Sequence, residues 1–320
     1  MMETDKPEGR MPPKVLYHYC SVDVFFSILK NRTIWLSDIS KSNDSRELMW
    51  IKEQCKYFII CAWYRYVNAR EKAGMGQPDA TFFQQVHLMS EKITKTNTSK
   101  SWVFCLSEKK DNLGQWRGYA DDGAGVCIGF KTTFFETVDE IAEIVDEQAD
   151  FLFRSVRYND PEIEEFFQNT AKLSSINASM NPEEVISALE HAIQCTIWNA
   201  EFFKNTAFQE ESEWRLAYTM SKADLLCGEK PSISDPENKL ISTDVFHFSD
   251  YVYAVNRKRL VSHIEMKVPR IEQVITDIII GPKSALSIED VELFLLSIGI
   301  VPDADKNHRI KIEKSTISYR

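Results

Sequence analysis

Val15-Leu16-Tyr17-His18-Tyr19-Cys20-Ser21 reads as a short strand, Val15 to Tyr19, that carries polar and titratable groups at the end of an apolar stretch. A sheet can hold such side chains rigidly at the edge of a cleft. Two later blocks repeat the pattern: Phe104-Cys105-Leu106-Ser107, leading to Trp116-Arg117-Gly118-Tyr119, and Glu211-Ser212-Glu213-Trp214-Arg215. One cleft lined by a histidine, a tyrosine and paired glutamates would be a chemical site. The fold must first bring three remote segments together.

Outward from that strand, helices and strands alternate. Val22 to Leu29 has Val22, Phe25, Phe26 and Leu29 on one helical face, and Thr33 to Leu36 reads as the second strand. Leu48, Ile51, Cys55, Phe58, Ile59, Ala62 and Tyr66 recur at helical spacing to about Ala69, and a second helix is predicted from Asp79 to Lys95 after the Gly74-Met75-Gly76-Gln77-Pro78 breaker. Trp102 to Leu106 and Gly125 to Phe130 read as strands that pair with each other. Helical patterns over Phe134 to Gln148 and Pro161 to Ser174 flank a strand from Leu152 to Tyr158, and Pro182 to Lys204 is predicted as a long helix with proline in its first turn. Trp214 to Thr219, Tyr251 to Asn256, Ile264 to Val268 and Val274 to Ile280 are rich in β-branched and aromatic residues, as strands are. Ser287 to Ile298 closes the series as a helix with a Ser287 and Asp290 capping pair and Gly299 as its stop. The expected class is α+β: one domain over residues 15–320 with helical insertions near 45–95 and 160–205, after a flexible arm of residues 1–14 with prolines at 7, 12 and 13.

Composition narrows the function. A chain of 320 residues, 43% hydrophobic with 11 glycines, can bury a large core. Its 38 basic against 48 acidic residues give a net charge of −10, which argues against a long footprint on duplex nucleic acid, although Arg257-Lys258-Arg259 is a local basic spot. Seven scattered cysteines read as reduced thiols, which points to the cytoplasm. No apolar run is long enough to cross a bilayer and no secretory h-region follows Met1, so no membrane partner is expected.

Familiar site motifs are absent. Cysteines and histidines show no zinc spacing, so no metal is expected. There is no Walker loop, Rossmann fingerprint or G-x-S-x-G elbow; Gly123-Ala124-Gly125 and Gly281-Pro282-Lys283 read as turns whose backbone N–H groups could meet an anion. In Asn43-Asp44-Ser45-Arg46-Glu47, Asp44 and Glu47 have the spacing of an N-cap with a reciprocal carboxylate, and Asn43 is the candidate ligand contact. His18 in a strand, and Trp116 and Tyr119 three residues apart, could each serve a core or a ligand. Glu211 and Glu213, two apart on a strand, would lie side by side, and their repulsion calls for a cation, ligand or solvent; Arg215, on the same face, could pair with Glu213.

A family resemblance enters at these residues. The ordered set Tyr17-His18-Tyr19-Cys20-Ser21, Trp35-Leu36-Ser37, Asn43-Asp44-x-x-Glu47, Trp116-x-x-Tyr119, Gly125 to Phe130, Glu211-x-Glu213-Trp214-Arg215, Ile280-Gly281-Pro282-Lys283 and Ser315-x-x-x-Tyr319-Arg320 resembles the mostly bacterial domain-of-unknown-function family 2971, over nearly the whole chain. More distantly, the order of histidine, serine with tyrosine, then glutamate is similar to that of ADP-ribosyltransferases of the His-Tyr-Glu type. That likeness implies a split β-sheet with helical insertions and NAD as a substrate. His18 would hydrogen-bond ribose hydroxyls and the nicotinamide amide, Tyr119 would stack on the nicotinamide ring, and Glu213 would hold the ribose 2′-OH. Glu211 would steer the acceptor nucleophile. Tyr19, Ser21, Asn43, Ser107 and Trp116 would complete the NAD site, with Tyr19 standing where those transferases often have glycine.

The chemistry explains the residue types, because cleaving the nicotinamide–ribose bond builds positive charge on the ribose that a fixed carboxylate stabilises. The expectation is therefore transfer of ADP-ribose to an unknown acceptor macromolecule, in a toxin-like or anti-phage setting. Alternatives are an NAD glycohydrolase and a non-catalytic nucleotide- or protein-binding module.

Overall fold

The computed structural model describes residues 10–42, 46–95, 99–145, 151–227, 247–256, 259–301 and 309–319. The opening stretch is strand β1 (Val15–Cys20), followed by helix α1 (Val22–Asn31), whose N-terminus is capped by the Ser21 hydroxyl accepting from Val24 N–H at 3.2 Å. Strand β2 (Thr33–Asp38) leads into α2 (Glu47–Lys72) and α3 (Ala80–Lys95), then to β3 (Ser99–Ser107). After it come α4 (Leu113–Tyr119), β4 (Val126–Lys131), α5 (Thr132–Val145), β5 (Phe151–Ser155) and α6 (Asp160–Glu165), which runs on as a π-helical turn over Phe166–Thr170. Helix α7 (Pro182–Asn199) precedes β6 (Glu213–Ser221) and α8 (Lys222–Leu226). Strands β7 (His247–Asn256) and β8 (Arg259–Lys267), helix α9 (Ile271–Val274), β9 (Ile275–Ile280), α10 (Ile288–Ser297) and β10 (Lys311–Lys314) complete the order.

The ten strands form one sheet in the order β10-β9-β4-β1-β3-β2-β8-β7, with β6 also pairing with β3, and β5 with β6. All neighbours run antiparallel except β9 and β10. Strand β6 occupies one whole edge of β3, from Ser99 opposite Ser221 to Ser107 opposite Glu213. The other edge is therefore shared: β2 pairs at Trp102 and Val103, β1 only at Ser107. Between those contacts the sheet parts. Strand β4 pairs with β1 and β9, not with β3 as its sequence neighbourhood suggested, because β1 lies between them.

Two apolar cores follow from the helix periodicities. The larger one joins the sheet to α1, α5 and α10 through residues such as Leu16, Phe25, Phe104, Phe130, Phe135, Trp214 and Val291. The second is built by the two helical insertions on each other: Ile51, Cys55 and Ile59 of α2, Phe82 and Val86 of α3, and Val185 and Leu189 of α7, with Phe166, Phe167 and Phe203. Each insertion is amphipathic by its 3.6-residue repeat, and neither buries its apolar stripe alone. The capping box at Ser287 and Asp290 is present, as the sequence predicts. The predicted helix over Pro161 to Ser174 is instead α6 and its π turn, and α7 stops five residues short of Lys204; a 3₁₀ turn over Ala200–Phe202 follows, and the extended Phe203 bridges Arg157.

Candidate functional site

The parting of the sheet leaves the Cys105 carbonyl of β3 without a strand partner, and the His18 ring of β1 fills the gap. Its Nδ1–H donates to Cys105 O at 2.9 Å, and the ring stacks on Phe104 with centroids 4.4 Å apart. A carbonyl only accepts, so this bond selects the Nδ1–H tautomer and leaves Nε2 as an acceptor. Burial holds the imidazole pKa down at about 4 despite the opposing bond to Cys105, so the ring is neutral at physiological pH. His18 thus repairs the sheet and borders a pocket at once.

That pocket, about 60 Å³, is lined by Tyr17, His18 and Tyr19 of β1, by Cys105 to Ser107 of β3, by Gln115 and Tyr119 of α4, and by Glu211 and Glu213. Three segments separated by some hundred residues each meet there, as the sequence pattern anticipates. The Asn112 side chain caps α4 by accepting from Gln115 N–H at 3.1 Å, and Asp111 accepts from Trp116 Nε1–H at 2.6 Å, so the helix presents Gln115 and Tyr119 in a fixed pose. The Gln115 amide makes no side-chain hydrogen bond among the described residues, although the residue is buried. The Tyr119 hydroxyl donates to Glu211 Oε1 at 2.6 Å; burial and that carboxylate both push its pKa up, which keeps it a phenol.

The two glutamates do not share a strand face. Glu211 ends a 3₁₀ turn (Thr206–Glu211), Ser212 is left-handed at φ 45°, and only Glu213 enters β6. They nevertheless meet through a cation that sequence reasoning missed. Lys204 Nζ lies 2.5 Å from Glu211 and 3.2 Å from Glu213. Arg215 clasps Glu213 with Nε and Nη2, both at 2.9 Å, and reaches Glu47 of α2 with Nη2. Glu47, whose expected capping partner Asp44 lies outside the described residues, accepts from Arg215 and, at 2.6 Å, from the Ser42 hydroxyl. Arg215, Glu47, Lys204 and Glu213 are all buried. Burial alone would raise the Glu213 pKa, but Arg215 and Lys204 bring it down to about 2. Formally, three carboxylates against two cations leave one negative charge, and its outermost member, Glu211, faces the pocket.

The other predicted contacts divide. Ser107 lines the pocket, donating to Glu211 O at 2.6 Å and accepting from Lys109 N–H at 3.1 Å. Tyr19 lines it as well, its hydroxyl donating to Lys109 O at 2.7 Å and accepting from Asn112 N–H at 3.1 Å. Trp116 is fully buried beneath, edge-on to Tyr19, and Ser21 serves the cap of α1; neither borders the pocket. Asn43, Asp44 and the basic residues Arg257 and Lys258 lie outside the described residues. The two glycine turns hold each other, Gly281 N–H to Gly125 O at 3.0 Å and Lys283 N–H to Gly123 O at 2.8 Å, and a Cβ at Gly281 would lie 2.4 Å from Gly123 O. Their amides are spent on packing. Among the described residues, no group of three or more His, Cys, Asp or Glu side chains could hold a metal ion, and no helix is long and apolar enough to cross a membrane.

Residues 115–216 match the model of a family described as "Protein of unknown function (DUF2971)". The matched segment runs from Gln115 at the pocket, through Tyr119, Lys204, Glu211, Glu213 and Arg215, to Leu216 of β6. No curated protein and no solved structure matches the chain.

Proposed function

We propose that this pocket receives the nicotinamide end of NAD and that the protein cleaves the nicotinamide–ribose bond, transferring ADP-ribose in the manner of an ADP-ribosyltransferase with a split sheet. The observation that carries the reading is the convergence of His18, Tyr119, Glu211 and Glu213 on one pocket at the point where the sheet parts. Three features support it. His18 Nε2 and the Gln115 amide offer uncommitted hydrogen-bonding atoms, which suit a carboxamide. Tyr119 supplies an aromatic face. The excess negative charge of the glutamate cluster suits a pyridinium cation in the ground state and an oxocarbenium-like ribose in the transition state. At about 60 Å³, against ~300–1,000 Å³ for typical cofactor sites, the pocket takes one end of a dinucleotide, and the remainder lies outside it.

Incubation of the protein with NAD, followed by chromatography of nicotinamide, tests the reaction; labelled ADP-ribose on macromolecules separates transfer from hydrolysis. Glu211→Gln and Glu213→Gln should each slow release about 100-fold or more, the cost of removing one preorganised electrostatic group. A second reading, a non-catalytic binding module, is favoured by the engagement of both Glu213 oxygens with Arg215 and Lys204. NAD binding by calorimetry with no nicotinamide released would select it, and absence of both would end the NAD proposal.

A further inference from the structure

Glu213 and Trp214 are consecutive on β6 and point to opposite faces, so Trp214 borders a different hollow. This second pocket is about 510 Å³, within the ~300–1,000 Å³ range of small-molecule sites. It lies among β5, the π-helical turn and the segment around Phe203.

Its most unusual resident is Arg157. The backbone is fixed on both sides, N–H to Phe202 O at 2.8 Å and carbonyl to Lys204 N–H at 3.0 Å. The guanidinium lies over two rings, its Cζ 5.5 Å from the Phe166 centroid and 5.6 Å from that of Phe203. It makes no hydrogen bond or ion pair among the described residues, although a guanidinium carries five N–H donors and this one is half-buried. The other two arginines of the pocket are satisfied: Arg154 by Asp139 at 2.8 Å, Arg10 by Glu108 at 2.9 Å. Independently, Phe166–Thr170 forms a π turn whose Phe166, Asn169 and Thr170 line the hollow, and such turns recur at functional sites.

Charge defines the ligand. Glu140, Glu162 and Glu165 are exposed at the rim, and none of them is in an ion pair among the described residues. The fields of Glu162 and Glu165 reach Arg157 without contact. The site therefore offers one uncommitted cation inside, aromatic walls, and several carboxylates outside. A polyphosphate would be repelled by that rim. We propose that this hollow binds a small zwitterion with a basic side chain, of the amino-acid type, its carboxylate held bidentately by Arg157 between Phe166 and Phe203 and its cationic end against the Glu162 and Glu165 rim.

The test is calorimetry on the full chain with L-lysine, its decarboxylated counterpart 1,5-diaminopentane, acetate, inorganic phosphate and NAD. L-lysine is expected to bind, and diaminopentane and acetate each at least about tenfold more weakly, since each lacks one of the two charge-assisted contacts. Arg157→Gln should lose at least that factor for L-lysine with circular dichroism unchanged, and Glu165→Gln should weaken L-lysine while leaving acetate where it was. No binding of L-lysine, equal binding of diaminopentane, tighter binding of phosphate or NAD, or an indifferent Arg157→Gln would each overturn the proposal. Should Arg157→Gln fail to fold, the comparison of L-lysine with diaminopentane on the unaltered protein decides alone.

Discussion

Strand β6 has two buried faces made from alternate residues of the same nine, and they handle burial in opposite ways. Trp214, Leu216, Tyr218 and Met220 join the apolar core against Trp102, Phe151 and Phe153. Glu213, Arg215 and Thr219 turn to the other side, where Glu47, Glu201 and Lys204 meet them. The apolar face gains free energy from every atom it removes from water. The charged face recovers its desolvation cost only while every partner is in place. One face thus tolerates graded change, and the other is close to all-or-none.

Breaking the charged face should have the largest effect. Arg215→Met strands Glu47 and Glu213 with Lys204 alone, and a loss of about 3–5 kcal/mol in urea denaturation is expected. An effect below ~1 kcal/mol would mean that water or rearranged side chains serve that face as well as the arginine does. On the apolar face, Leu216→Ala should cost about 2–5 kcal/mol, graded with the volume of the cavity left behind, so Leu216→Met should cost far less. If Leu216→Met proved as damaging as Leu216→Ala, the contrast between graded and all-or-none would be wrong.

Titration sharpens the same contrast, because the charged face of β6 should carry it and the apolar face of β6 should not. Burial raises the Glu201 pKa to about 7 although Thr219 donates to it, and its Oε2 has no hydrogen-bond partner among the described residues. A carboxyl raised in the folded state contributes stability that is complete below about 4.5 and lost as pH rises through 7, with a slope of ~1.4 kcal/mol per pH unit between. Glu201→Gln should remove that slope from unfolding curves collected between pH 5 and 7. Glu213 has the opposite sign: its folded pKa, near 2, gives stability present above 4.5 and lost as pH falls through 2. His18 adds to the acid side, since its neutral form contributes fully above 6.5 and is lost as pH falls through 4.

The smallest structural effect should come from Tyr119→Phe. Tyr119 is 37% exposed, and loss of its bond to Glu211 should change stability by no more than about 1 kcal/mol. If the NAD reading holds, the same change lowers nicotinamide release well beyond what stability explains. Equal small effects on both would leave Tyr119 as a surface clasp on the charged face.

Much of the architecture was legible because periodicity reports burial. The α2 repeat from Ile51 to Tyr66 and the run Trp214 to Thr219 lie where the pattern puts them. Helix α4 was not, since seven residues containing two glycines carry too little repeat to show, and its Asn112 cap acts only once the loop is closed. The site was half legible. Residues at the ends of apolar stretches, His18, Ser107, Tyr119 and Glu213, line the pocket. Lys204 had no local signal, because a lysine at the end of a helix usually faces water, and Glu47 had only a capping spacing, which says nothing of the arginine that its carboxylate meets.

By itself the sequence determined most of the helical and extended segments, which faces are apolar, and that two carboxylates near residue 212 call for a cation, ligand or solvent. Those are consequences of side-chain chemistry at fixed spacing along one chain. Only the tertiary structure decided that β1 lies between β3 and β4, that the sheet parts so that an imidazole can mend it, and that Lys204 and Arg215 are the cations that meet the glutamates. These are contacts between residues far apart in the chain, and no local period encodes them.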